Sequence, residues 1–437
     1  MPETLAFDRL VHELHHVLES LPDYRKGKNT QYTIKDAALG AFAVFFTQCP
    51  SFLAYQQTMQ HTKGRSNAET LFGMDAIPCD NQIRTLLDPV EPRAVFPVFE
   101  TIFAALHAGG SLASFRAIAG QLLIAFDGTE YFSSKHICCA HCSHRTDAKG
   151  RVTYFHQAVT PVLVAPGKPD VIALPPECIT PQDGYDKQDC EIAAAKRWMQ
   201  QHADTYRGMN ITILGDDLYC KQPFCELLLS YGFNFILVCK PESHPTLYEW
   251  IDTLASAGDL PQFCLTRWNG RFREVYTYRY ASEVPLRDGE DALLVNWCEL
   301  TITTEAERTI LYRNAFATQH PMTRNTVEVV VRAGRARWKI ENEHNNVLKT
   351  KGYHVEHNYG HGQQYLAAFL LTLNLLAFLF HTVLQFVDQR YQALRQALGA
   401  RRTFFQDIQA LTRYFLYHSW THLLTVMLQG LELEVPP

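Results

Sequence analysis

Three acidic residues far apart in the chain have the sequence surroundings expected of metal ligands. Asp127 ends the apolar run LLIAFD (122–127), and Asp216 follows the apolar part of ITILGDD (211–217). Both runs predict buried strands, which leaves each acid at the carboxyl end of a strand. Glu341 lies instead in a basic segment predicted to be helical. Because a buried acid is costly unless it is paired or bound to a cation, we predict that the three side chains form one site.

Such a site would have a defined chemistry. Carboxylate oxygens favour Mg²⁺ or Mn²⁺ over zinc. Two such ions about 4 Å apart can activate a water or a 3′-hydroxyl in phosphodiester cleavage and stabilise the leaving oxygen. The open alternative is that the acids are structural caps or ordinary ion pairs, such as Arg337 with Glu341 on one helix face. Asp217 competes with Asp216, because neighbouring residues of a strand face opposite ways.

The segment around Glu341 is locally basic although the whole chain is acidic. The 437 residues carry a formal net charge of -5, which excludes a globally basic nucleic-acid binder. Between residues 324 and 351, however, seven Lys or Arg residues accompany three Glu residues, a local balance of +4. The field near a site depends on nearby charge, so this segment can engage phosphates.

The order of elements predicts an α/β fold, a mixed sheet flanked by helices. The predicted strands are 122–127, 152–165, 171–174, 211–217 and 233–240. The predicted helices between them are 186–202 and 221–231. Further strand-like segments are EVYTYRY (274–280), ALLVNW (292–297) and TVEVVV (326–331).

We divide the chain into five segments. They are an N-terminal helical segment (1–115), a first part of the catalytic core (116–259), a β-rich insertion (260–330), a second part of the core with the Glu-bearing helix (331–390) and a C-terminal helical tail (391–437). The N-terminal segment could bind DNA or be purely structural, and its sequence leaves both possibilities open.

Cysteine usage and hydropathy predict a cytoplasmic protein with no membrane partner. Twelve cysteines are scattered without the spacing of a disulfide framework, and no signal peptide is recognisable. The longest apolar run, Leu366 to Phe380, has 15 residues, whereas a membrane span needs about 20. We predict that this run is a buried core helix.

Three motifs together resemble the DDE transposases of bacterial insertion sequences. They are DGTEYF (127–132), GDDLY (215–219) and RWKIENEHNNVLK (337–349). The likeness is to the insertion-sequence four type, whose third acid lies in an R-W-x-I-E helix followed by a lysine, and it covers about residues 120–385. It implies an RNase H-like fold with a β-rich insertion between the second and third acids. It also implies that Asp127, Asp216 and Glu341 are catalytic and bind two Mg²⁺ or Mn²⁺ ions.

The same resemblance implies partners and DNA contacts. The partners would be double-stranded DNA, as terminal inverted repeats and target, and a second protomer, because two DNA ends must be processed together. The residues expected to contact DNA are Tyr219, Arg335, Arg337, Lys339, His344, Lys349 and Lys351. The alternatives are a solvated basic face and, for the whole chain, a transposase-derived DNA-binding protein without catalytic activity.

The chain departs from the family pattern at two positions. The tyrosine common seven residues before the glutamate is replaced by Gly334. The following lysine, Lys349, lies eight residues after Glu341, where seven is usual. The family roles of the tyrosine and the lysine therefore carry over only in part.

A Cys/His motif raises a third hypothesis, a structural or regulatory zinc protein. The spacing His136-x-x-Cys139-x-x-Cys142-x-His144 resembles half of a zinc site. No second Cys/His pair with a fitting spacing is visible, and a cytosolic chain rich in cysteine produces such pairs by chance. Zinc therefore remains an alternative here. The segment HNYGHG (357–362) is interpreted as a connection between helices that could also contact DNA.

Overall fold

The computed structural model describes residues 5–26, 30–59, 66–181 and 190–436. The helices are α1 (Phe7–Glu19), α2 (Ile34–Phe46), α3 (Phe52–Met59), α4 (Asn67–Phe72), α5 (Asp80–Leu87), α6 (Phe96–Ala108), α7 (Glu191–Tyr206), α8 (Gln222–Ser230), α9 (Pro245–Ala257), α10 (Val327–Arg335), α11 (Asn346–Thr350), α12 (Leu366–Val387), α13 (Gln389–Leu398), α14 (Arg401–Tyr414) and α15 (Trp420–Gly430). A π-helical turn, Ile340–Asn345, connects the end of the α10 region to α11.

The strands form two sheets. They are β1 (Leu122–Ala125), β2 (Gly128–Ser134), β3 (Ser143–Thr146), β4 (Val152–Val159), β5 (Val162–Val164), β6 (Ile172–Ala173), β7 (Glu177–Ile179), β8 (Ile211–Gly215), β9 (Asn234–Val238), β10 (Gln262–Trp268), β11 (Arg273–Pro285), β12 (Leu294–Thr304) and β13 (Ile310–Thr318). The predicted fold class is confirmed, since helices flank a mixed sheet.

The large sheet has nine strands in the order β10-β11-β12-β13-β9-β8-β1-β5-β6. At its centre, β1 is parallel to β8, and β8 is parallel to β9, whereas β5 pairs with β1 in the antiparallel direction. All residues of β1 and β8 are buried, which explains their continuous apolar runs. The three strands predicted near 122–127, 211–217 and 233–240 are therefore confirmed as neighbours.

The strand predicted for 152–165 is wrong in one respect, because it is two strands in two sheets. β4 belongs to the small antiparallel sheet β2-β4-β3, with β7 paired to β4, and β5 belongs to the large sheet. The chain leaves one ladder and enters the other at Thr160 and Pro161, and a proline has no N–H to continue a ladder.

Strands β10 to β13 correspond to the predicted β-rich insertion, and β13 joins them to the large sheet by pairing with β9. The strand predictions for 274–280 and 292–297 are confirmed by β11 and β12. The prediction for 326–331 is wrong, because these residues begin α10. Val327, Val330, Val331 and Gly334 are buried at helical spacing, so packing overrides the β preference of valine.

The N-terminal and C-terminal helices share one hydrophobic core. The rings of Phe42 in α2 and Phe380 in α12 lie 4.9 Å apart, and the core cluster includes residues from all five predicted segments. By length and composition α12 could cross a membrane, yet 89% of its most apolar window is buried inside the protein. The prediction of a buried core helix is confirmed. The predicted helix at 186–202 corresponds to α7, and its residues 186–189 lie outside the described residues.

Candidate metal centre at the ends of the parallel strands

The register of two parallel strands places Asp127 and Asp216 at corresponding positions. Ala125 in β1 pairs with Leu214 in β8, and each acid lies two residues beyond its member of that pair. The ladder continues past the strand ends, since the Phe126 N–H donates to the Leu214 carbonyl oxygen at 2.8 Å. Neighbouring strands are about 4.8 Å apart. The adjacency on which the predicted site depends is therefore present.

Glu341 enters from the π-helical turn Ile340–Asn345. Its exposed carboxylate pairs with Arg337, with 2.7 Å between Arg337 Nη2 and Glu341 Oε1. The ordinary i,i+4 ion pair that the sequence left open is thus present. π-helical turns are rare and often occur at functional sites, because they change which side chains share a helix face.

The same turn connects directly to β1 through Asn345. The side-chain Nδ2 of Asn345 donates to Asp127 Oδ2 at 3.2 Å. Its Oδ1 accepts a hydrogen bond from Thr160 Oγ1 at 3.0 Å and lies 3.1 Å from His344 Nδ1. Asn345 therefore fixes the Asp127 carboxylate and holds the turn that carries Glu341 against the end of β1.

The pKa of Asp127 depends on the charges of the other two predicted acids. Burial, and after it the negative charge of Glu191, contribute most to raising the pKa of Asp127 to about 7. Arg337 lowers this pKa, whereas Glu341 and Asp216 raise it. Like charges that converge on one carboxyl group favour its protonated form unless a cation is present. The two other predicted acids therefore act on Asp127.

Glu191, the first residue of α7, is a fourth acid that the sequence did not indicate. Its Oε1 accepts hydrogen bonds from the Gly128 N–H at 2.9 Å and from the Tyr219 hydroxyl at 2.7 Å. Burial raises its pKa. A Cβ atom at position 128 would meet the Glu191 carboxylate, so glycine permits this approach. Both partners of Glu191 are distant in sequence, and no local signal marks it.

The carboxylates converge without forming a tight cluster. Within the described ranges, Asp127, Asp216 and Glu341 are not among the groups of ligand atoms that all lie within 4.8 Å of one another. Two ions about 4 Å apart, each about 2.1 Å from its ligand oxygen, can be held by oxygens up to roughly 8 Å apart. An all-carboxylate donor set fits Mg²⁺ or Mn²⁺. At least two of these carboxylates are therefore too far apart for the closed geometry of a single-ion cluster.

Asp217, the competitor of Asp216, faces a different loop. Its carboxylate accepts from the Lys240 N–H at 2.7 Å and from the Ser243 hydroxyl, and lies 3.4 Å from His244 Nδ1. Asp217 thus holds the segment after β9. Asp216 Oδ1 accepts from the Leu218 N–H at 2.9 Å. These contacts support the choice of Asp216 for the metal centre.

Tyr219 and His344, which were expected to contact DNA, are both buried. The side chains of Tyr219 and His344 both belong to residues with 0% exposure. Tyr219 donates to Glu191, and the His344 ring packs edge-on against Phe378 with 4.9 Å between centroids. Burial lowers the pKa of His344 to about 4, so it is neutral at pH 7. Neither side chain offers a surface to DNA, and both instead support the acid site from inside.

The expected basic residues differ in how freely they face solvent. Lys339 is nearly buried, and its Nζ donates to the Lys168 carbonyl oxygen at 2.5 Å. Arg335 and Lys339 both line a cleft between α10 and the β-rich segment 260–330. The Arg335 guanidinium lies 4.5 Å from the Tyr312 ring centroid. Lys349 Nζ pairs with Glu356 at 3.0 Å, and Lys351 is exposed. The burial of Lys339 makes it a structural residue.

Packing explains the departure from the family pattern at Gly334. A Cβ atom at this position of α10 would lie 2.8 Å from Ile236 Cγ2 and 2.9 Å from Phe316 Cδ1. The helix therefore rests directly on β9 and β13, and a tyrosine has no room there. Leu348, at the usual place of the lysine, is buried, and Lys349 follows it at a half-buried position.

The site thus combines acidic side chains beyond the ends of two parallel strands with the guanidinium of Arg337, which pairs with Glu341. Comparison with protein-family models and with curated proteins finds no match for this chain. Its functional assignment therefore depends on the residues and on their geometry.

Proposed function

We propose that this chain is a DDE transposase, which binds the ends of its element and catalyses metal-dependent DNA cleavage and strand transfer. One observation carries the proposal. The parallel register of β1 and β8 puts Asp127 and Asp216 at matching positions just beyond the strand ends, and Asn345, from the turn that carries Glu341, donates to Asp127 Oδ2 at 3.2 Å. Structural caps would be expected to satisfy each acid separately, whereas a metal centre requires the acids to converge.

The central sheet supports the RNase H-like assignment within this proposal. Asp127 and Asp216, the first two acids, lie just beyond the carboxyl ends of two central parallel strands, β1 and β8. The strands β10 to β13 lie between the second and third acids in the chain, where the resemblance places an insertion. The third acid then follows α10, which packs on β9 and β13.

In this assignment Asp127, Asp216 and Glu341 would hold two Mg²⁺ or Mn²⁺ ions. When bound, the ions would activate the attacking water or 3′-hydroxyl and stabilise the leaving oxygen. Asn345 orients Asp127 through its 3.2 Å hydrogen bond. Arg337 pairs with Glu341 and, in the proposed complex, would contact a phosphate beside the cleaved bond.

The proposed partner is double-stranded DNA, contacted mainly through its phosphates. Arg335, Arg337, Lys349 and Lys351 remain the candidate contacts, since Lys339 is engaged within the chain. Phosphate contacts position the duplex without reading its sequence. We propose a homodimer in the DNA complex, because two element ends are processed together. A cytoplasmic location agrees with twelve cysteines that form no disulfide.

The test uses the purified full-length protein and linear DNA that carries both edges of its own gene locus. With Mg²⁺ or Mn²⁺ we expect cleavage near those edges, and none with a chelator. Asp127→Ala and Glu341→Gln should abolish cleavage while DNA binding in a gel-shift assay stays within about twofold, since both residues serve the chemistry. Glu343→Gln is the matched control, because that carboxylate lines the cleft beside Trp338 and not the acid site.

Two outcomes would change the assignment. Full cleavage by Asp127→Ala would remove the metal-centre claim. DNA binding by the unsubstituted protein without nicking in either metal would favour the alternative, a transposase-derived DNA-binding protein without catalytic activity. Thermal unfolding of each variant distinguishes lost chemistry from lost folding.

A further inference from the structure

Four sulfur and nitrogen ligands meet in a second place, beside the small sheet. Cys139 and Cys142 lie between β2 and β3, His156 lies in β4, and His361 lies in the connection between α11 and α12. One ligand atom from each of the four lies within 4.8 Å of all the others. Cys142, His156 and His361 are buried, and Cys139 is partly buried.

Five of the six separations between these atoms are known, and all five are close to those of a tetrahedron around one metal ion. The two sulfurs are 3.9 Å apart, and the two Nε2 atoms are 3.1 Å apart. His156 Nε2 lies 3.6 Å from Cys139 Sγ and 3.5 Å from Cys142 Sγ, and His361 Nε2 lies 3.3 Å from Cys142 Sγ. Tetrahedral zinc with ordinary bond lengths requires about 3.8 Å between sulfurs, about 3.6 Å between sulfur and nitrogen, and about 3.3 Å between nitrogens.

The surroundings orient the ligands toward a common centre. His361 Nδ1 can donate its proton to the Gly362 carbonyl oxygen, 3.0 Å away, which leaves a lone pair on Nε2. The His156 ring stacks on Tyr131 with 5.7 Å between centroids and 15° between planes. Two imidazole nitrogens 3.1 Å apart can share at most one proton, and a cation between them and the thiolates satisfies all four atoms.

We infer that Cys139, Cys142, His156 and His361 bind one structural Zn²⁺ ion. Two thiolates and two neutral imidazoles neutralise the ion, so the buried centre carries no net charge. The protein fills all four tetrahedral positions, which leaves none for a substrate. The pair missing from the sequence motif is therefore His156 with His361, and the nearby His136 and His144 do not belong to the cluster.

The zinc ion would hold two distant parts of the chain together next to the acid site. It joins the small sheet to the segment that follows the Glu341-bearing turn, two parts of the chain separated by 205 positions between His156 and His361. Four residues beyond His156 along the chain, Thr160 donates to Asn345, which in turn holds Asp127. Zinc would thus position the acid site from outside without touching the reacting atoms.

A second group, Cys220, Cys239 and His244, does not support the same inference. It has three ligands, and both ring nitrogens of His244 already lie near oxygen atoms. Nε2 is 2.6 Å from the Cys220 carbonyl oxygen, and Nδ1 is 3.4 Å from Asp217 Oδ1. This contrast indicates that the tetrahedral group is more than a chance meeting of cysteines and histidines.

Metal analysis of the full-length protein, purified under reducing conditions without a histidine tag, tests the inference. We expect about one zinc per chain in the unsubstituted protein, as four protein ligands imply. Cys142→Ser and His361→Ala should lose at least about tenfold in zinc occupancy. The matched controls Cys138→Ser and His136→Ala should retain zinc, because both residues are close in sequence but outside the cluster.

A conservative variant and a spectroscopic probe protect the test against misfolding. His361→Cys should keep one metal ion, since it replaces one zinc ligand by another. The zinc-free protein reconstituted with Co²⁺ should show the visible absorption of a tetrahedral thiolate site, and Cys142→Ser should not. The inference is overturned if the unsubstituted protein holds no zinc and acquires no such absorption, or if the ligand variants bind zinc as well as the controls do. No DNA is present, so this result is independent of the proposed transposase activity.

Discussion

Thr160, which donates to Asn345 of the acid site, lies four positions after His156 of the Cys/His cluster, yet the two sites are built differently. In the cluster, ligand atoms from four residues are already at tetrahedral separations and largely buried. In the acid site, the carboxylates converge on Asp127, but Glu341 is exposed and pairs with Arg337. In the first arrangement the protein supplies four nearby ligand atoms, whereas in the second the Glu341 carboxylate faces solvent.

The two sites would have different roles: the cluster would stabilise the fold, and the acid site would carry out the chemistry. Zinc sites with four protein ligands stabilise a fold, and sites that react keep an open position. The hard oxygen ligands of the acid site favour Mg²⁺ or Mn²⁺, and the sulfur and nitrogen ligands of the cluster favour zinc. Each metal would therefore select its own site, although the two sites lie close together in the chain.

The largest expected effect is on catalysis. Asp127→Asn removes the charge of a proposed metal ligand, so the proposed DNA cleavage should slow by at least about 10³-fold, a barrier increase of roughly 4 kcal/mol. The zinc content of this variant should be unchanged. Cleavage rates under single-turnover conditions and metal analysis on the same preparation measure both quantities, with Asp252→Asn on α9 as a remote control. Loss of zinc in Asp127→Asn would show that the two sites are not separate.

Removal of zinc should have the next largest effect, and it should act on stability. At a free zinc concentration a thousandfold above the dissociation constant, binding contributes about 4 kcal/mol to the free energy of unfolding. Urea denaturation in zinc and in a zinc chelator should therefore differ by a value of this order. Equal midpoints in both conditions would contradict a stabilising role. In Cys142→Ser, the chelator should change the midpoint little.

Glu191 tests whether the acid site extends beyond the three predicted acids. Glu191→Gln keeps an acceptor for the Gly128 N–H and the Tyr219 hydroxyl but loses the negative charge. If the charge helps to hold the metal, the Mg²⁺ concentration for half-maximal cleavage should rise about tenfold. Gly128→Ala should act in the same direction, because its methyl group displaces the Glu191 carboxylate. An unchanged Mg²⁺ dependence in both variants would make Glu191 a purely structural residue.

The smallest expected effect concerns the connection between the two regions. Thr160→Val removes the hydroxyl that donates to Asn345, which should raise the activation barrier of cleavage by about 1 kcal/mol and slow cleavage about fivefold. The zinc content should be unchanged, and the free energy of unfolding should fall by no more than about 1 kcal/mol, since the valine occupies the same space. Cleavage equal to that of the unsubstituted protein would mean that Asn345 holds Asp127 without help from Thr160.

The sequence predicted correctly those features that depend on residues close together in the chain. The strands that end in Asp127 and Asp216 were correctly predicted, because a buried parallel strand is a continuous apolar run. The segment 326–331 was misassigned, since valines at these positions fit both a strand and one face of a helix. The cysteine motif supplied only half of its site, because His361 is 219 positions from Cys142.

The DNA contacts predicted for Tyr219 and His344 failed for a related reason. Polar side chains in a motif are expected at the surface, but burial is decided by what packs over them. Phe378 in α12 covers His344. Glu191, the first residue of α7, accepts the hydrogen bond of the Tyr219 hydroxyl. A motif therefore indicates which residues matter without telling which of them touch a partner.

By itself, the sequence determined the apolar runs, the acids that end them, the buried helix α12 and the Cys-x-x-Cys turn, because each depends on residues that are neighbours in the chain. The tertiary structure decided that Glu191 and Asn345 join Asp127, and that His361 completes a group with Cys139, Cys142 and His156. Such meetings depend on strand register and on the packing of helices against the sheet. Local residue preferences do not encode either of these at separations of 63 to 219 positions.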